Sequence, residues 1–214
     1  MKCDKKTMLL YAVTDRAWVG RQSLYEQVEC ALKGGATCVQ VREKKLGDED
    51  FLEEAKQIAA LCKRYGVPLF INDNVDVAIA CGAEGVHVGQ GDLPALETRR
   101  LIGPDKILGL SVGSAEEMAT VPAAGVDYLG IGPVYPTGTK ADAGEATGVA
   151  LFAELVAATA LPVVAIGGIH RDNCSPLFEA GTDGVAVVSA ICGRDDPARA
   201  TAALNETIQL ALKR

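Results

Sequence analysis

Residues 38–71 read CVQVREKKLGDEDFLEEAKQIAALCKRYGVPLFI, and one complete repeat of a pattern lies within them. A β-branched apolar run, 38–41, ends in the polar cluster Gln40-Val41-Arg42-Glu43-Lys44. A segment then places Phe51, Leu52, Ala55, Ile58, Ala59 and Cys62 at helical spacing, and a second apolar run starts at Leu69. The spacing predicts a strand, a crossover helix with one apolar stripe, and a parallel strand.

Outward from this unit, apolar runs recur at 9–13, 85–88, 107–110, 128–131, 163–166 and 185–188, which makes eight with the two above. Helical spacing fills the intervals at 24–32, 75–81, 93–102, 115–124, 149–159 and 173–180, and follows the last run at 197–212. Gly34-Gly35, Gly82, Gly125 and Gly181 each fall between a helical segment and the next strand, where glycine suits a left-handed C-cap. Eight alternating units in one domain over 1–214 predict an α/β fold, a closed (β/α)8 TIM barrel, in preference to an open doubly wound sheet. A typical barrel of this kind has about 250 residues, so short loops are expected; the longest irregular stretch, 133–148, is a candidate lid.

The chain has 214 residues, 49% of them apolar, enough for one sizeable core. A net charge of −7 and no Lys/Arg run longer than two residues exclude a phosphate-tracking nucleic-acid surface, so any anion must be met by local cations or a metal. The apolar run at 8–13 is too short for a signal peptide and no stretch is long enough for a membrane span, so a cytoplasmic protein is expected. Seven cysteines without a Cys-x-x-Cys pair predict free thiols in a reducing compartment.

Strands buried on both faces cannot solvate polar groups, so the clusters just past their ends should converge on the rim where parallel barrels bind ligands. Asp73 and Asp92 follow adjacent strands, and two carboxylates with water and phosphate oxygens match Mg²⁺, although either could instead cap a helix. Arg42, Lys44 and Lys140 on the same rim suggest a diphosphate or triphosphate; Gln40 and Asn72 carry amides that are costly to bury without partners. Gly167-Gly168 and Val188-Ser189, after the seventh and eighth strands, suggest a second phosphate site. His87 and His170 lack zinc or catalytic spacing, and His87, alternating with valines, is expected to be a satisfied core histidine. There is no Ser/His/Asp triad, Walker loop or dinucleotide fingerprint, which leaves the chemistry to metal, cations and binding.

Five ordered blocks carry a resemblance: Gln40-Val41-Arg42-Glu43-Lys44, Asn72-Asp73, residues 85–92 (GVHVGQGD), residues 130–140 (GIGPVYPTGTK) and residues 165–169 (AIGGI). Over nearly the whole chain, it resembles the thiamine-phosphate synthase family. The resemblance implies a barrel that joins a pyrimidine-methyl diphosphate to a thiazole phosphate, plain or carboxylated, giving thiamine monophosphate and diphosphate. It implies a pyrimidine site at Gln40, Val41, Arg42, Glu43, Lys44, Asn72, Ser111 and Lys140, with Arg42, Lys44, Ser111 and Lys140 catalytic. Asp73 and Asp92 would hold Mg²⁺, and Thr137, Gly138, Thr139, Gly168, Val188 and Ser189 the thiazole phosphate. Partners are then the two small substrates and a second copy of the chain, with no nucleic acid or membrane. The rivals are a thiazole phosphate tautomerase, whose family usually places a histidine where this chain has Pro133, a catalytically silent binding barrel, and a sugar-phosphate isomerase.

Overall fold

The computed structural model describes residues 3, 5–20, 22–139 and 144–213. Its strands are β1 (Leu10–Val13), β2 (Cys38–Val41), β3 (Leu69–Asn72), β4 (Gly85–Val88), β5 (Ile107–Val112), β6 (Tyr128–Ile131), β7 (Val163–Ile166) and β8 (Gly184–Val187). All pair in parallel with their sequence neighbours, and β8 pairs back to β1, closing the barrel. Each strand is followed by a helix: α1 (Leu24–Lys33), α2 (Asp48–Tyr65), α3 (Val75–Ala80), α4 (Ala95–Ile102), α5 (Ala115–Ala119), α6 (Gly148–Ala157), α7 (Ser175–Glu179) and α8 (Pro197–Ala211). No helix among the described residues is long and apolar enough to cross a membrane.

The (β/α)8 expectation holds, and the two-residue period explains why. Val39, Val41, Ile71, Val86, Val88 and Leu110 turn outward against the helices, while Tyr11, Phe70, Ile107, Tyr128 and Val164 fill the barrel. The helix ends follow local chemistry. Ser23 and Glu26 form a capping box on α1, and Gly35, Gly82, Gly125 and Gly181 all have positive φ. Two helices are shorter than their apolar spacing predicts by three residues or more. α5 ends at Ala119 instead of running to 124, because Pro122 lacks the N–H a helix needs. α7 starts at Ser175, because Asn173 is committed to the loop before it, accepting from His170 N and donating to Gly168 O.

Polar residues at the opposite rim tie strand starts together: the carboxylates of Glu84, Asp127 and Asp183 accept the N–H groups of Leu69, Leu108 and Val163 at 2.8, 2.7 and 2.9 Å. That rim is structural, and the polar groups left for chemistry lie at the C-terminal ends.

Candidate active site

A cavity of about 430 Å³ opens at the C-terminal ends of the strands, a volume suited to small-molecule binding. One wall comes from the loops after β2, β3 and β4. Arg42 and Lys44 line it, positioned from behind by residues that do not. Glu43 accepts the backbone N–H groups of Lys44, Lys45 and Leu46 at 2.8, 2.5 and 3.1 Å and pairs with Arg16, which also reaches Glu54 at 2.5 Å. Burial opposes the Glu43 charge, but these donors hold its carboxyl below the usual range. Asp15 sits 3.3 Å from Arg42 Nη1 and accepts Ala17 N–H at 2.7 Å, fixing the direction of the guanidinium.

Asp73 takes a left-handed backbone (φ 62°), held by its N–H on His87 O at 2.9 Å. Its Oδ2 is 2.5 Å from Lys44 Nζ, and Asn72 Nδ2 donates to its Oδ1 at 2.5 Å. Asp92 Oδ2 accepts Gly89 N–H at 2.7 Å, and its carboxyl interacts with that of Asp73. Neither aspartate caps a helix: Asn74 caps α3, and α4 starts after Pro94 with no side-chain cap. Burial, then the Asp92 contact, push the Asp73 carboxyl up to about 6, against the pull of Lys44. No group of three His, Cys, Asp or Glu is arranged to hold a metal ion among the described residues. Two crowded carboxylates with an ammonium already drawn to one of them nevertheless suit Mg²⁺, which keeps most of its shell for water and phosphate oxygens.

The floor is aromatic. Tyr11, Tyr128 and His87 lie between Gln40 and Ser111, and His87 bonds Tyr128 Oη through Nδ1 and Ser111 Oγ through Nε2, both at 2.9 Å. His87 is therefore satisfied, as expected of a core histidine, but by groups that line the cavity. The opposite wall joins Thr137 and Thr139 to Gly167, Gly168, Val188 and Ser189. The glycines have a steric reason beyond close approach to a ligand. Both have positive φ (97° and 65°), and a Cβ at Gly168 would lie 2.6 Å from Pro136 O. A recess of about 400 Å³ continues past this wall toward Trp18, His170 and Arg194.

The thiamine monophosphate synthase model matches residues 10–191, which include all eight strands and every residue just named except Arg194. The chain belongs to that family. It is 49% identical over 195 residues to the thiamine-phosphate synthase of Desulfitobacterium hafniense (strain Y51), covering 91% of this chain and 94% of that one. The thiamine-phosphate synthase of Clostridium novyi (strain NT) is 45% identical over 187 residues, covering 87% and 92%. Among solved structures, the thiamine phosphate pyrophosphorylase from Pyrococcus furiosus superposes with a TM-score of 0.89 at 38% identity, covering 97% of this chain and 98% of that one. As a member of this family the chain is a transferase of thiamine biosynthesis acting on small molecules, and the tautomerase is not favoured.

Of the positions that the family resemblance pointed to, Gln40, Arg42, Lys44, Asn72, Asp73, Asp92, Ser111, Thr137, Thr139, Gly168, Val188 and Ser189 meet around the one cavity. Three grouped with them do not line it. Val41 is fully buried against the helix layer, Glu43 is turned back into its own loop, and Gly138 lines only the recess. Lys140 lies outside the described residues. Residues to which the sequence reading gave no role are Tyr11, Tyr128, Gln90 and Asp15. The tyrosines were visible as polar-tipped aromatics within strands; Gln90, which donates to Ser111 O at 2.7 Å, was visible only as loop polarity.

Proposed function

We propose that the cavity joins 4-amino-2-methyl-5-(diphosphooxymethyl)pyrimidine to 4-methyl-5-(2-phosphoethyl)thiazole, plain or carboxylated, giving thiamine monophosphate and diphosphate. The observation that carries this is one cavity with Arg42, Lys44 and the Asp73/Asp92 pair on one wall, and Thr137, Thr139, Gly168 and Ser189 on the other. A diphosphate and a monophosphate thus have separate anchors, and an amide and a hydroxyl, Gln40 and Ser111, flank the floor between them.

The C–O bond between the pyrimidine methylene and the diphosphate breaks, and its electron pair leaves with the diphosphate. The electron-rich aminopyrimidine ring carries the resulting cation until the thiazole nitrogen donates its lone pair and forms the new C–N bond. No side chain has to act as nucleophile. Arg42 and Lys44 instead stabilise negative charge that grows as the bond breaks, an interaction stronger in the transition state than in the bound substrate. Asp73 and Asp92 would hold Mg²⁺, which would supply further neutralisation of the same charge. A cytoplasmic setting is supported by seven cysteines that are all free.

The test is thiamine phosphate formation from both substrates with and without Mg²⁺, read by oxidation to fluorescent thiochrome. Metal-dependent product is expected. No product despite binding of the thiazole phosphate would sink the synthase reading and return the tautomerase or silent barrel.

The metal pair also gives a pH dependence of definite sign. Because the folded-state value of Asp73 is raised from 3.8 to about 6, protonated Asp73 favours the metal-free fold. That contribution is fully present below 3.8 and is lost as pH rises through about 6. Mg²⁺ binds the ionised pair, so it should raise the melting temperature more at about pH 8 than at about pH 5. Equal shifts at both would place the cation elsewhere.

A further inference from the structure

A single hydrogen-bond chain crosses the cavity floor and ends at the two side chains that flank it. Gln40 Nε2 donates to Tyr11 Oη at 3.0 Å, and the Tyr11 and Tyr128 hydroxyls are 3.1 Å apart. Tyr128 Oη is 2.9 Å from His87 Nδ1, and His87 Nε2 is 2.9 Å from Ser111 Oγ. The interior members are 1% (Tyr11), 0% (Tyr128) and 9% (His87) exposed, so they satisfy one another away from bulk water. The strands beside them are built to admit the rings. A Cβ at Gly109 would lie 2.2 Å from Tyr128 Cζ and 2.4 Å from His87 Nδ1, and one at Gly130 would lie 2.9 Å from His87 Cε1.

Proton counting gives the chain a direction. Each hydroxyl has one proton, and burial raises both phenols well above 10.0, so both remain protonated. An amide nitrogen cannot accept, so the Tyr11 proton points to Tyr128 and the Tyr128 proton to His87 Nδ1. With Nδ1 accepting, a singly protonated imidazole carries its proton on Nε2, which donates to Ser111 Oγ. That direction leaves the Gln40 carbonyl, an acceptor, at the β2 side and the Ser111 O–H, a donor, at the β5 side as the groups of the chain with capacity for a ligand, both residues lining the cavity.

We propose that Tyr11, Tyr128 and His87 are positioning residues that lock this acceptor–donor pair and so select a 4-aminopyrimidine over a 4-oxopyrimidine of the same size. This rests on the synthase reading. The aminopyrimidine offers an N–H to the Gln40 carbonyl and an unprotonated ring nitrogen to the Ser111 hydroxyl. The oxo analogue offers an acceptor where the amine was and an N–H on the adjoining ring nitrogen. Accommodating it means turning the Gln40 amide and reversing all four downstream protons, including the imidazole tautomer. A site built around buried hydrogen-bonding groups rejects a mispaired ligand because those groups are left unpaired.

The test compares kcat/KM for the 4-amino and 4-oxo pyrimidine diphosphates in the unaltered protein and in Tyr11→Phe, which frees the Gln40 amide to turn. The amino-to-oxo ratio should fall at least about tenfold in the variant, with KM for the thiazole phosphate unchanged. Equal losses on both substrates would mark a merely structural role and overturn the proposal. A second measurement needs no variant at the chain: ¹⁵N spectra of the imidazoles, with His170→Gln for assignment, should show His87 protonated on Nε2 and bare on Nδ1. The opposite tautomer overturns the proposal. Failure of the unaltered protein to make thiamine phosphate sinks the synthase reading instead. The tautomer and the amino-to-oxo binding ratio, read by calorimetry, would then still decide the role of the chain.

Discussion

Asp92→Asn should lower thiamine phosphate formation at least about 10²- to 10³-fold and leave the barrel folded. Asparagine keeps the shape of the side chain and an oxygen for Gly89 N–H, the 2.7 Å bond that shapes the loop after β4. No helix depends on Asp92, because α4 begins at Ala95 without a side-chain cap. On the proposed reading, what is lost is one of the two carboxylates that would hold Mg²⁺ against the leaving diphosphate, a contribution that would matter most when the C–O bond is stretched. The thiochrome assay across a Mg²⁺ titration, beside a thermal melt, separates the two effects. Near-normal turnover in a folded variant would remove Asp92 from the metal site.

Gly109→Ala is the second change with a large expected effect, and it acts from inside the barrel. Gly109 lies on β5 between His87 of β4 and Tyr128 of β6 in register, and its missing side chain is the space those two rings occupy. A methyl group there overpacks a core with no room to relax, at a cost of about 1–3 kcal/mol. For a chain of this length each kcal/mol corresponds to a fall of about 2–4 °C in melting temperature. Displacing Tyr128 and His87 also misdirects Ser111 and Gln40, and a shift of about 1 Å in such positioning can cost about 10²-fold in rate. Calorimetry and kcat/KM should therefore fall together. A variant that melts with the unaltered protein would show that the rings do not need this space.

These changes fall on different sides of what could be read from the chain. The barrel was legible because apolar runs without alternation, a striped helix such as α2 and glycines at returns such as Gly35, Gly82, Gly125 and Gly181 are local signals. Helix lengths were less legible where an apolar stripe continues past a stop, as in α5 before Pro122. Within the site, the charged side chains just past strand ends could be placed because parallel strands in a barrel deliver their C-terminal ends to one rim. Glu43 shows the limit. It shares a cluster with Arg42 and Lys44, yet three backbone N–H groups and Arg16 claim its carboxylate, a choice made by loop geometry.

By itself, the order of apolar runs and polar clusters determined a (β/α)8 barrel and which loops carry cations, carboxylates and glycines, since periodicity and burial on both faces are properties of short segments. Only the tertiary structure decided that Tyr11 meets Tyr128, 117 residues away, that His87 connects that pair to Ser111, and that Gly109 makes room for them. The reason is register. Side chains from strands far apart in sequence share a layer only once the barrel closes with one particular stagger, and no local pattern carries that stagger.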